Sequence, residues 1–373
     1  MNSADKKRLL YLCAIAQKES MIIFEEKEAY INTQSYSVSV KLSEAISEAK
    51  IGISPQTIQS IISTMGGSDI SIEKSDVFKY KFKSNGIQRI ITVINAEYAP
   101  KVTLGEVVSR FTITNPNDLA KSISFASNFA SKDSVLNTSN SFLKIRDNEI
   151  DSFATDGISM GYRKYAQRLP FEEEANLVIS NSQTQPVIRA LTDEGAKTAQ
   201  IKIDERGAIS FSTENCTSIL AKSSGEFRDF ITMMNGVSAV DSNGKRKEDE
   251  NHSEAPLEEI KSALSNINSM FDKNEYPFVD VHIYKDKLNL DSEVLTRGYD
   301  CLRASIPAKS TSEYAVRLSS ILFSKAISKF KEARIHWRSS LDSKVNPLVI
   351  ENGTEMVFFA PLNMPPKTDE SYD

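Results

Sequence analysis

Residues 177–220 read LVISNSQTQPVIRALTDEGAKTAQIKIDERGAISFSTENCTSIL, and this stretch decides the fold. A short apolar run ends at Ser180, whose hydroxyl can accept hydrogen bonds from the unpaired amides of a helix's first turn. A helical segment follows, and then runs in which apolar and polar residues alternate, as at Ile201 and Ile203. The stretch therefore predicts a strand, a serine-capped helix and three further strands.

The same order of elements occurs twice more, in stretches that begin at Ile51 and Val316. Each contains a serine at the helix start, Ser54 and Ser319, and Pro55 suits a first helical position. The three serines are 126 and 139 residues apart. A period of that length indicates that the repeating unit is a whole domain and not one turn of a solenoid.

Each repeat also has an earlier half, in which a helical segment precedes further alternating strands. The chain is therefore predicted to be an α+β protein of three similar domains, each made of two helix-plus-strands motifs. We expect the domains to span residues 1–108, 109–244 and 245–373, with an exposed connector in the highly charged stretch 241–256. Any α+β protein alternates helices and strands, but the shared serine, order and period favour a true repeat.

Composition excludes several classes of protein. The chain has 373 residues, a formal charge of −5 and a pI near 5.6, which argues against a surface that coats nucleic acid everywhere. Three distant cysteines, Cys13, Cys216 and Cys301, do not make a disulfide framework or a zinc site. We expect each of them to be a small buried apolar residue. No apolar run is long enough to cross a membrane.

Sequence motifs give no support for an enzyme. The chain has only three histidines, and none has a partner at a spacing typical of a metal ligand or a general base. Glycine-rich phosphate loops and nucleophile motifs are also absent from the sequence. We therefore predict a protein without catalytic residues, cofactor or metal.

Four segments resemble a known family, the bacterial β sliding clamps (DNA polymerase III subunit beta). They are ATDG at 154–157, SGEFRDFITMM at 224–234, NPLVIENG at 346–353 and MVFFAPLNM at 356–364. They occur in the family's order on a three-domain repeat, and the resemblance covers essentially the whole chain. The first domain matches mainly by its pattern.

The resemblance implies a non-catalytic DNA clamp. Two such chains would form a head-to-tail homodimeric ring around duplex DNA, with helices lining the hole and sheets outside. The implied partners are duplex DNA, a replicative DNA polymerase, a clamp loader and other proteins with clamp-binding motifs, and the implied location is the cytoplasm, at the nucleoid. A clamp-like scaffold or mobile-element paralogue, which binds proteins without supporting replication, is the alternative.

The distribution of charge supports DNA-facing helices. The six predicted helical segments hold thirteen basic and eight acidic residues, so they carry about +5 and the rest of the chain about −10. Such helices could contact phosphates without reading bases. The alternative is that each lysine simply faces solvent. The candidate DNA-facing residues are Lys6, Lys7, Arg8, Lys18, Lys121, Lys132, Arg189, Lys197, Lys261, Lys325, Lys329 and Lys331.

The resemblance also implies an apolar pocket for partner peptides, in which methionines would adapt to several motifs. Ile158, Ser159 and Met160 stand where the family has His-Arg-Leu, and Arg228 stands where proline is usual, so peptide preference is expected to differ. The same residues could instead be plain core. The candidate pocket residues are Thr155, Gly157, Ile158, Ser159, Met160, Arg228, Thr232, Met233, Phe358, Ala360, Pro361, Leu362, Asn363 and Met364.

Ring closure requires edge strands that a second chain can pair with. We expect the first domain to offer residues 88–93 and the last domain to offer residues 277–283.

Overall fold

The computed structural model describes residues 1–17, 19–65, 69–132, 137–227, 229, 251–272, 275–294, 300–337, 347–360 and 362. Its first repeat comprises α1 (Ser3–Ile15), β1 (Ile22–Glu26), β2 (Glu28–Asn32), β3 (Tyr36–Lys41), β4 (Ser47–Ile53), α2 (Pro55–Met65), β5 (Ser71–Asp76), β6 (Lys79–Ser84) and β7 (Ile87–Thr92). Strands β8 (Ile94–Asn95) and β9 (Val107–Thr114) follow it.

The second repeat comprises α3 (Pro116–Ser127), a single 3-10 turn (Asn137–Ser139), β10 (Asn140–Arg146), β11 (Glu149–Thr155), β12 (Ser159–Ala166), β13 (Ala175–Ser180), α4 (Asn181–Leu191), β14 (Thr198–Asp204), β15 (Ile209–Ser212) and β16 (Cys216–Leu220). The third comprises β17 (Asn251–Glu254), α5 (Leu257–Met270), β18 (Phe278–Ile283), β19 (Lys287–Val294), β20 (Asp300–Pro307), β21 (Lys309–Ser310), β22 (Tyr314–Ser319), α6 (Ser320–Ile327), β23 (Arg334–Trp337), β24 (Leu348–Glu351) and β25 (Glu355–Phe359).

The predicted repeat is confirmed by this order of elements. Apart from β8, β9, β17 and the short β21, each repeat has a helix, four strands, a second helix and three strands. The strand pairing is also the same in each repeat. In the first half of every repeat the fourth strand pairs antiparallel with the first, as β4 with β1, β13 with β10 and β22 with β18. The α+β prediction is therefore correct, while the division at residues 108 and 244 stays a prediction.

The three serines begin their helices in different ways. The Ser54 hydroxyl accepts a hydrogen bond from the Thr57 amide at 3.2 Å. At Ser180 the backbone amide donates to the Gln183 side chain at 3.0 Å, one arm of a capping box. Ser319 occupies the same cap position without a side-chain bond. Position, more than the cap bond itself, is what the repeat preserves.

Two compact units make up the described chain, and the first comprises residues 1–124, 140–151 and 165–226. Its main sheet has nine strands in the order β8-β4-β1-β2-β3-β16-β15-β14-β9, and β5-β6-β7 form a second sheet. Helices α1, α2 and α4 pack over these sheets around a continuous apolar core. Strands β6, β9 and β16 bury alternate residues, as expected for a sheet with one face on a core.

The second unit comprises residues 125–139, 152–164 and 227–373. Strands β20-β19-β18-β22 form one sheet, and β12-β25-β24-β23-β17-β21 are hydrogen-bonded in that order. Helices α5 and α6 pack together over an apolar core that includes the chain's one tryptophan, Trp337. Strand β17 corrects the expectation of an exposed connector for residues 251–254, since residues 251–253 pair with β23, residues 253–254 pair with β21, and Ser253 is buried.

Consecutive repeats are joined by the same kind of strand pairing. Strand β3 pairs antiparallel with β16, the last strand of the next repeat, and β12 pairs antiparallel with β25 in the same way. Among the described residues, the corresponding strands β20 and β7 each pair on one side only, with β19 and β6. In the described part of the chain, one third strand and one last strand therefore each have an open edge.

The sequence located one of these two edges. Residues 88–93 coincide with β7, which is an edge, as expected. Residues 277–283 were the wrong choice for the other edge, because β18 is hydrogen-bonded to β19 on one side and β22 on the other. The open edge belongs to β20. This strand also carries Cys301, which was predicted to be buried but is exposed.

Candidate functional site

The basic residues of α1 are already engaged with the protein. Lys7 is exposed and pairs with Glu194 at 2.8 Å. Arg8 is half-buried, and its guanidinium donates to the Lys41 carbonyl at 2.9 Å. Lys6 lies among the buried residues. Of these three predicted DNA contacts, Lys7 is the one whose side chain is largely exposed.

A group of basic residues lies where α3 ends beside α6. The Lys325 ammonium donates to the carbonyl of Asn128, just past the end of α3, and lies 5.5 Å from the centre of the Phe129 ring. Burial lowers the pKa of Lys325; the positive charges of Lys132 and Lys329 add to this effect and Asp156 opposes it. Lys132 and Lys329 are exposed and close enough to act on the Lys325 charge.

The other predicted DNA contacts divide by exposure. Lys261 is half-buried, pairs with Glu258 at 2.6 Å and donates to the Phe330 carbonyl at 3.1 Å. Lys18 lies outside the described residues. The predicted contacts with exposed side chains, besides Lys7, are Lys121, Lys132, Arg189, Lys197, Lys329 and Lys331.

The candidate peptide pocket begins at a tight turn between β11 and β12. The Asp156 carboxylate accepts from the amides of Ile158 and Ser159 at 2.9 and 2.7 Å, and the Thr155 hydroxyl donates to the Ser159 carbonyl at 2.8 Å. Gly157 has φ +94°, a backbone conformation that favours glycine. This chemistry explains the Thr-Asp-Gly sequence and leaves the Ile158 side chain partly exposed.

The end of β25 brings the second part of the candidate pocket to this turn. The Ala360 amide donates to the Ile158 carbonyl at 2.8 Å, and the Leu362 amide donates to the Arg317 carbonyl on β22 at 2.9 Å. Ala360 is thus hydrogen-bonded to the turn between β11 and β12, and Leu362 to β22. These bonds bring Ala360 next to Thr155 and Ile158 and Leu362 next to Arg317, while the assignment of a peptide pocket stays a prediction.

Other predicted pocket residues lie deeper or cannot be placed. Met160 and Phe358 face each other in the β12–β25 register and are buried, so they belong to the core beneath the surface. Arg228, Thr232, Met233, Pro361, Asn363 and Met364 lie outside the described residues.

Sequence reasoning missed the ion pair that supports the β22 end of this region. Arg317 and Asp280 are direct partners in the β22–β18 register, and their side chains make two hydrogen bonds of 2.6 Å. The Arg317 guanidinium also lies 4.2 Å from the centre of the Phe278 ring. Asp280 and Arg317 both lie in strands whose apolar and polar residues alternate. The sequence indicated this ion pair only through a charged residue at a position that faces inward.

The described residues contain no group of three or more His, Cys, Asp or Glu arranged to hold a metal ion. No helix in the described part of the chain combines the length and apolar character that a membrane crossing requires.

The fold is that of the DNA sliding clamps, as the sequence resemblance implied. The beta subunit of DNA polymerase III from Thermotoga maritima matches with a TM-score of 0.80 and 16% identity, over 97% of each chain. The beta subunit from Pseudomonas aeruginosa matches at 0.78 and 13%, over 97% of this chain and 98% of its own. The sliding clamp from Bacillus subtilis matches at 0.72 and 13%, over 96% and 98%. No protein-family model and no curated protein matches the sequence.

Proposed function

We propose that the protein is a DNA sliding clamp, a non-catalytic processivity factor that encircles duplex DNA as a head-to-tail homodimer and tethers a replicative polymerase. Similarity to DNA polymerase III beta subunits over 97% of the chain supports this proposal. The proposal extends to a clamp loader that opens the ring, to other proteins with clamp-binding motifs, and to a cytoplasmic, nucleoid-associated location.

The observation that carries the proposal is the pairing rule between repeats. A third strand pairs with the last strand of the following repeat at β3–β16 and β12–β25, and within the described ranges β20 and β7 are the third and last strands that each keep one open edge. If β20 of one chain pairs with β7 of another, two copies satisfy the rule at all six junctions and a closed ring results. Ile87 and Ile90 on β7 are 44% and 55% exposed, which suits a strand that becomes covered.

The basic group at the α3–α6 junction supports contact with DNA. Lysine is a mobile point charge that can bond phosphates without selecting a base, and sliding requires weak and nearly equal contact at every register. Lys132, Lys325 and Lys329 bring three such charges together. We infer weak, sequence-independent contact that falls steeply with salt concentration.

A partner peptide would dock beside the 155–158 turn and Leu362. The peptide would contact Thr155, Ile158, Ala360 and Leu362. Ile158 and Leu362 would provide the apolar surface. Because Ile158, Ser159 and Met160 replace the family's His-Arg-Leu, we expect a peptide preference different from that of other clamps.

Two measurements test the proposal. Native mass should give two chains, and Ile90→Asp on β7 should give one, because a charge on the paired edge opposes strand addition. Lys74→Asp, an exposed change on β5, is the matched control for Ile90→Asp and should remain dimeric. With a clamp loader present, the protein should stay on a nicked circular duplex and leave it once the circle is cut. A monomeric wild type, or equal retention on circular and linear DNA, would contradict the ring.

The altered turn favours a second candidate, a scaffold with the clamp fold that binds proteins without supporting replication. That protein would be dimeric and would bind peptides, yet no loader would place it on DNA. The loading assay separates the two functions.

A further inference from the structure

A half-open cleft lies between α1 and α4, over strands β3 and β16, all within the first unit. Its volume is about 410 Å³, within the range that holds small ligands. Lys7, Arg8 and Arg189 stand around it together with Asp193 and Glu194. None of these residues belongs to the candidate peptide pocket.

The clamp fold does not require this opening. The equivalent junction between α3 and α6 is filled by aromatic rings, since Phe125 lies 5.7 Å from Phe129 and 5.8 Å from Phe330, measured between ring centres. At the α1–α4 junction no comparable rings meet among the described residues, and Leu10 and Ala14 of α1 face the cleft instead. The same architecture thus accommodates a packed junction and an open one.

The acidic residues of the cleft are already satisfied by neighbours. Asp193 accepts hydrogen bonds from Thr213 and Asn215, both at 3.2 Å, and Glu194 pairs with Lys7 across the two helices at 2.8 Å. Arg8 is held by the Lys41 carbonyl. The remaining charge is that of Arg189, which is exposed and whose guanidinium has no ion pair within the described ranges.

Apolar surface lies beside this guanidinium. Leu10 is 36% exposed, Ala14 is exposed, and Val40 and Cys216 form a buried floor. The Tyr11 hydroxyl is turned away, because it donates to the Pro186 carbonyl at 3.2 Å. The cleft therefore combines an apolar wall with one available planar cation that matches a carboxylate in a two-point contact.

We propose that this cleft binds a small organic anion, with its carboxylate on Arg189 and its apolar body against Leu10 and Ala14. A molecule of about a dozen heavy atoms fits the volume. A DNA phosphate would also pair with Arg189, but it would leave the apolar wall unused. Binding of the anion does not require the proposed clamp function, although Lys7, Arg8 and Arg189 of the cleft are also candidate DNA contacts.

The probe is 4-phenylbutanoate, with 4-phenylbutan-1-ol as its neutral analogue, titrated calorimetrically into the full-length protein. We expect saturable binding of the anion, at least tenfold weaker binding of the alcohol, and at least a tenfold loss in Arg189→Gln. Ala14→Phe, which fills the cleft from an exposed helix position, should abolish binding while the circular dichroism spectrum is unchanged. Lys74→Gln removes one positive charge elsewhere and should bind like the wild type.

Three outcomes would overturn the proposal. The first is no saturable binding of the anion to the wild type. The second is equal binding to the wild type and to a folded Arg189→Gln or Ala14→Phe variant. The third is a loss of duplex DNA retention in Arg189→Gln without any change in probe affinity, which would assign Arg189 to DNA alone.

Discussion

Replacing Asp280 with asparagine should destabilise the second unit by about 3–5 kcal/mol, the usual cost of breaking a buried ion pair by removing one partner. The Asp280 side chain is fully buried and that of Arg317 is 7% exposed, and their two hydrogen bonds are both 2.6 Å long. Asparagine keeps the shape but not the charge, and its amide group would face the guanidinium donors. The arginine charge would then be buried without its counter-charge.

A more exposed ion pair in the same unit shows how much of this cost comes from burial. Arg334 and Glu254 are 2.5 Å apart, but their side chains are 24% and 55% exposed. Exposed pairs contribute about 0–1 kcal/mol because water and salt screen them. Glu254→Gln should therefore cost less than about 1 kcal/mol, although it removes a charge from an equally short contact.

Urea unfolding followed by Trp337 fluorescence measures both variants. Trp337 is the chain's one tryptophan, is buried in the second unit and stacks on Tyr314 at 5.1 Å between ring centres, so its emission reports unfolding of that unit. With a slope of about 2 kcal/mol per M urea, a loss of 4 kcal/mol lowers the midpoint by about 2 M. Equal shifts for Asp280→Asn and Glu254→Gln would refute the reasoning that burial sets the value of the pair.

Four further changes have defined outcomes. Gly161→Ala should cost about 1–3 kcal/mol in the same assay, because a Cβ there would lie 2.0 Å from the Phe129 ring; an unchanged midpoint would contradict this contact. Asp204→Asn should cost about 2 kcal/mol at neutral pH, because the Asp204 carboxylate accepts three backbone amide bonds. Burial acts to raise the pKa of Asp204, but these bonds outweigh it and lower the pKa, so the wild type's advantage holds above the unfolded pKa of about 4 and shrinks as pH falls further; a deficit that grows in acid would be inconsistent with this sign. Leu362→Ala should weaken binding of a polymerase peptide at least tenfold while native mass still gives a dimer, and unchanged peptide affinity would reject the pocket. Lys329→Gln should reduce the salt dependence of duplex binding by about one counterion, and an unchanged slope would remove Lys329 from the DNA contact.

Much of the fold followed from local chemistry that a sequence displays directly. Ser54 and Ser180 precede helices because their side chains or backbones satisfy the first turn, and the alternating strands bury one face. These signals recur with a domain-length period, so the repeat was predictable. Ser319 has the same position without a side-chain cap bond, which is why the period was more informative than the bond.

Edges and partners across the sheet were not predictable in the same way. An edge strand and a central strand can show the same alternation, so β18 was mistaken for the edge that belongs to β20. The acceptor of Lys325 is the carbonyl of Asn128, 197 residues away in sequence, and no local pattern records such a contact. The segment at Thr155 was singled out by its resemblance to a motif of the clamp family, and the hydrogen bonds of its turn became known from the structure.

The pairing between repeats has a consequence for the protein during its synthesis. In the β3–β16 pair, Val40 meets Cys216, and in the β12–β25 pair, Ser159 meets Phe359, so these partners are separated by 176 and 200 residues. The first sheet therefore remains open at β3 until the ribosome has completed the second repeat, and the edge of β12 waits until β25 has been made. A growing chain must therefore carry strands with an open edge while the next 176 to 200 residues are made, and a released fragment that stops before residue 216 would carry one permanently.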